Sequence, residues 1–63
     1  MQVFEYIVVK LDSEGQIAEV KTDTKFVLAK NEADARLRIG AQVGSTVLKD
    51  ADIILRPFVS FVG

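Results

Sequence analysis

Asn31-Glu32-Ala33-Asp34-Ala35-Arg36-Leu37-Arg38-Ile39-Gly40-Ala41-Gln42-Val43-Gly44 decides the fold, because it is the one convincing helix in the chain. Asn31 is a good N-cap, and Glu32 and Asp34 fall in the first turn, where the helix dipole favours negative charge. Gly44 supplies the stop, as a residue free to enter the left-handed region at a helix end. On a helical wheel Ala33, Leu37, Gly40, Ala41 and Gly44 share one side, predicted to be the buried one. Asp34, Arg38 and Gln42 line the opposite stripe, while Ile39 and Val43 widen the apolar arc. Small residues on the buried side let the helix lie close to a sheet.

Outward from this helix the chain reads as strands. Residues 2–11 are rich in β-branched and aromatic types, and Asp12-Ser13-Glu14-Gly15 has the chemistry of a short hairpin turn. Residues 16–22 form a second strand, more charged, as an edge strand often is. Asp23-Thr24-Lys25 reads as a bulge or bend, after which Phe26–Ala29 continues the same strand or starts a short separate one. Ser45–Ala51 is a connection whose Val47 and Leu48 plug one end of the core. The last strand runs from Asp52 to about Val62. The expectation is an α+β fold: a single β-β-α-β domain over residues 1–63, with a mostly antiparallel three- to four-stranded sheet and one helix on one face.

Such a protein has a problem of cover. In the first strand Val3, Ile7, Val9 and Leu11 point one way, with Glu5 the exception, and Phe4, Tyr6 and Val8 point the other. In the last strand Ile53, Leu55, Val59 and Phe61 share one face, and Ile54, Phe58 and Val62 the opposite one. Strands apolar on both sides are buried on both sides, yet one helix covers only one. Chains this short usually need disulfides, a metal or oligomerisation for support. Cysteine and histidine are both absent, and hydrophobic residues reach 49% of the 63. Oligomerisation, or docking on a larger body, is the support left. The residues expected to meet a partner are Phe4, Tyr6, Val8, Arg56, Phe58, Val59, Phe61 and Val62. Pro57 cannot donate to a ladder, so it belongs at an edge or a bulge. Beyond it, residues 58–63 are placed to leave the home sheet or to continue as a kinked edge strand. Arg56 either anchors a partner's carboxylate or carbonyl, or lays its stem along the sheet with its head in water.

Other classes of function find little in the chain. A net charge of −1, with eight basic and nine acidic residues, gives no basic footprint for nucleic acid. Arg36 and Arg38 lie about 200° apart on the helix and form no patch. No apolar stretch reaches the ~18 residues of a membrane helix, and residues 1–5 lack the pattern of a secretory leader. The protein is expected to be made in a cytoplasm. Without His or Cys there is no ready general base or thiol nucleophile, and Ser13, Ser45 and Ser60 lack an activating neighbour. Asp50 and Asp52 read as solvated ends of a strand rather than a calcium site, which needs further oxygen ligands. The expectation is therefore no catalytic activity and no cofactor. A small ligand held between aromatic residues at an oligomer interface remains compatible with these residues.

Three stretches are similar to small, uncharacterised tailed-bacteriophage proteins: Glu5-Tyr6-Ile7-Val8-Val9, Val27-Leu28-Ala29-Lys30-Asn31-Glu32-Ala33-Asp34-Ala35, and Leu55-Arg56-Pro57-Phe58. Those proteins usually end soon after the Arg-Pro-Phe, whereas here Val59-Ser60-Phe61-Val62-Gly63 follows. The resemblance implies a phage origin. With the apolar strands it implies a virion accessory subunit (minor capsid, cement or decoration protein) that binds a shell protein or itself. The alternative is an early phage protein that sequesters a host defence factor or small signal as a homo-oligomer.

Overall fold

In the computed structural model, which describes residues 1–58, the elements run β1 (Gln2–Leu11), β2 (Ile17–Val20), β3 (Lys25–Ala29), α1 (Glu32–Val43), α2 (Ser45–Leu48) and β4 (Asp52–Pro57). β1 is the hub, and every pairing with it is antiparallel. Phe4 lies between Val27 and Pro57, and Val9 between Val20 and Asp52. β2 and β3 therefore share one edge of β1, end to end, while β4 takes the other. This is the expected α+β architecture, with the second strand bent into two.

Local chemistry accounts for the joints. The Asp12 carboxylate accepts from the N–H groups of Glu14 (2.8 Å) and Gln16 (3.0 Å), and Gly15 closes the turn at φ 80°. At the bend between β2 and β3, the N–H groups of Lys21 and Thr22 both donate to the Val8 carbonyl. The Thr22 hydroxyl oxygen accepts from the Val8 N–H at 3.1 Å. A side chain thus supplies the acceptor that the interrupted ladder lacks. Asn31 caps α1 through its carbonyl oxygen, accepting from the Asp34 N–H at 2.8 Å. Gly44, at φ 89°, ends the helix by donating to the Gly40 carbonyl. The connection expected as a loop contains one helical turn, α2. Its Val47 and Leu48 pack partly buried against the core, as the plug reading requires.

The core lies between α1 and one face of the sheet: Phe4, Tyr6, Val8, Val27, Ala29, Ala35 and Ile39. Two expectations are corrected here. First, α1 buries Ala35 and Ile39, while Leu37 is 76% exposed and Ala33 and Ala41 also face out. Leu37, the largest side chain assigned to the buried face, is thus turned to water. Ala35 lets the helix approach closely and β-branched Ile39 fills the gap, with the Glu32–Arg36 and Asp34–Arg38 ion pairs on the two flanks. Gln42, assigned to the outer stripe, instead reaches the sheet. Second, Phe4, Tyr6 and Val8 are 4%, 1% and 0% exposed, so they are core residues and not partner contacts. The opposite face carries Glu5, Asp52 and Arg56, whose charges a covering helix would have to strip of water.

Candidate interaction face

The face that α1 leaves open follows from register. Val3 stands beside Leu28, Glu5 between Phe26 and Arg56, and Ile7 beside Ile54. Phe26, Leu28, Ile54 and Phe58 are between 43% and 55% exposed, a large share for side chains so apolar. Phe58 extends the face by one residue. Its N–H donates to the Val3 carbonyl at 2.9 Å, and its ring meets that of Phe26 edge-on, with centroids 5.1 Å apart. Pairing thus continues through Pro57, and of the two readings of the segment beyond it, departure from the home sheet does not begin at Phe58. On this open side only Val9 is fully buried, and it stands outside the helix-side cluster.

One charged pair crosses this surface. Arg56 donates through Nε to a Glu5 carboxylate oxygen directly opposite it on β1. The cross-strand partner explains why Glu5 is tolerated among Val3, Phe26 and Ile54, and the Arg56 side chain, 75% exposed, keeps its head largely in water, as one of its two sequence readings had it. The pair is neutral in itself, and Asp52, opposite Val9, adds one negative charge to the same face. Of the residues expected to meet a partner, Arg56 and Phe58 lie here; Val59, Phe61 and Val62 fall outside the described residues. Phe26, Leu28 and Ile54 belong to the face and were missed. Glu5 was the signal that could have found them, since the face with a charge at its centre is the one a helix avoids.

The helix side closes with a polar contact. The Tyr6 hydroxyl donates to Gln42 Oε1 at 3.0 Å across the core margin, and burial raises the phenol above its ordinary pKa. Asp34 is held below the usual carboxylate range, first by the Lys30 N–H and then by Arg38. Among the described residues no three His, Cys, Asp or Glu side chains cluster to hold a metal ion, and no helix is long and apolar enough to cross a membrane. Comparison with known protein families, curated proteins and solved structures finds no match to this chain.

Proposed function

We propose that this protein works by assembly, docking the open face of its sheet on another protein. The observation that carries the reading is the row of half-exposed Phe26, Leu28, Ile54 and Phe58 on a single face. Together these side chains leave roughly 350–400 Å² of apolar surface in water, within the range of patches that mark interaction sites. Covering them would gain about 25 cal/mol for each Å² removed from water. The neutral Glu5–Arg56 pair sets no demand for a highly charged partner.

The setting we propose is a tailed-bacteriophage particle, with the chain as an accessory subunit on a shell protein. This rests on the resemblance of its three motifs, together with a small fold that presents an apolar face. Quantitative mass spectrometry of purified particles tests it: copies should match the symmetry of the shell, and absence from intact virions would end the virion reading. Ile54→Lys, in the middle of the open face, should abolish particle binding while leaving the helix-side core folded. Unchanged binding by that variant would show that the face is not the contact.

A further inference from the structure

The sheet has free edges as well as a free face, and they are not equally protected. Backbone direction follows from bonds at the ladder ends: the Val3 carbonyl is bonded from the β4 side and the Val8 carbonyl from the β2 side. Because successive residues of a strand point their polar groups to opposite edges, odd residues of β1 face β4 and even ones face β2 and β3. Lys25, Val27 and Ala29, opposite Tyr6, Phe4 and Gln2, therefore turn their backbone inward. Phe26 and Leu28 turn theirs outward, with no partner in the described fold. On β4 the outward positions are Ile53, Leu55 and Pro57. Pro57 removes a donor there, a common guard against pairing. β2 is only four residues long and its register slips beside Lys10 and Leu11, which is another guard. Phe26-Val27-Leu28-Ala29 carries neither proline nor a register slip, and its flanking Lys25 and Lys30 lie outside the four residues.

We propose that β3 pairs antiparallel with β3 of a second copy, about a two-fold axis at Val27. In this register Phe26 lies opposite Leu28 of the other copy on both sides of the axis, each pair exchanging two N–H···O bonds. Lys25 falls opposite Ala29 and Thr24 opposite Lys30, so no like charges meet. A groove of about 690 Å³ runs beside this edge, between Phe26, Val27 and Leu28 on the strand and Arg38, Ala41 and Gln42 on α1. Small Ala41 leaves the strand edge approachable there. The open face also gains by the pairing, since Phe26 and Leu28 of each copy become the centre of one continuous apolar surface. A single copy's open patch is well below the ~800 Å² per partner of a standard interface, and joining two copies brings it to roughly 700–800 Å². The inference concerns an edge rather than the face, so it stands apart from the choice of shell partner.

Sedimentation equilibrium combined with amide hydrogen exchange tests it on the full chain. The wild-type protein should dimerise as concentration rises toward about 1 mM, the weak end of specific association. Exchange at the Phe26 and Leu28 amides should slow by at least about tenfold between dilute and concentrated samples, with no such change at Ile53 and Leu55. Leu28→Pro removes an outward N–H and no bond to β1, so it should weaken dimerisation at least about tenfold with the far-UV spectrum retained. Leu28→Lys keeps the backbone and tests the same edge if the proline variant fails to fold. A monomer at 1 mM, or a dimer whose Phe26 and Leu28 amides exchange freely, overturns the proposal. Ile54→Lys should leave this dimer intact, which separates failure of the edge from failure of the docking face.

Discussion

Replacing Ile39 with Ala and, separately, Leu37 with Ala tests which side of α1 meets the sheet. Ile39 is fully buried in the cluster of Phe4, Tyr6, Val8, Val27, Ala29 and Ala35, whereas Leu37, two residues away, is 76% exposed. Ile39→Ala deletes three carbons, worth roughly 2.4 kcal/mol in lost transfer energy at about 0.8 kcal/mol each. The cavity left behind adds to this, for an expected loss of about 3 kcal/mol. A chain of this length has roughly 3–9 kcal/mol to lose, so the variant should forfeit at least about a third of its stability. Leu37→Ala removes similar atoms from water-facing surface and exchanges one strong helix former for another. Its effect should stay within about 0.5 kcal/mol. Urea titrations followed by circular dichroism would compare the two, with equal slopes required before midpoints are compared. A loss of 2 kcal/mol or more for Leu37→Ala, unchanged by protein concentration, would refute the assigned helix orientation.

Tyr6→Phe should cost about 0.5–1.5 kcal/mol through the lost bond to Gln42, at the lower end because Gln42 can turn to water. Since burial raises the phenol pKa, the folded state holds that proton more tightly than the unfolded one. Wild-type stability should be full below about pH 10 and fall as pH rises toward the folded value, and urea titrations of Tyr6→Phe should lose this dependence. Asp34 has the opposite sign, its pKa being lowered by the Lys30 N–H and then Arg38. Its contribution is present above the unfolded carboxylate pKa and is lost on acidification through the folded one, so acid titration of Asp34→Asn should show a flatter decline. Asn31→Ala and Gly44→Ala should each lower the urea-derived stability by about 1 kcal/mol, the first through the lost cap and the second through a side chain forced to φ 89°.

Local signals were the legible part of this chain. The Asp12–Gly15 turn, the Asn31 cap and the Gly44 stop need only neighbouring backbone groups, and all three occur where the residues place them. Over the described residues, alternation along β1 and β4 also sorted side chains correctly into two faces, because strand periodicity is set by backbone geometry. What alternation does not contain is which face the helix takes. That was settled by the cost of desolvating Glu5, Asp52 and Arg56, and by the fit of Ala35 and Ile39 over Phe4, Tyr6 and Val8. The Glu5–Arg56 pair joins residues far apart in the chain that only register brings together.

The amino-acid order alone determined the strands and the main helix, their antiparallel habit and an excess of apolar surface over the cover one helix provides, but not the helical turn α2. Tertiary packing decided the orientation of α1, the identity of the open face and the exposure of the β3 edge. The division follows from range: caps, turns and alternation act within a few residues, whereas burial and charge desolvation depend on what the rest of the chain brings alongside.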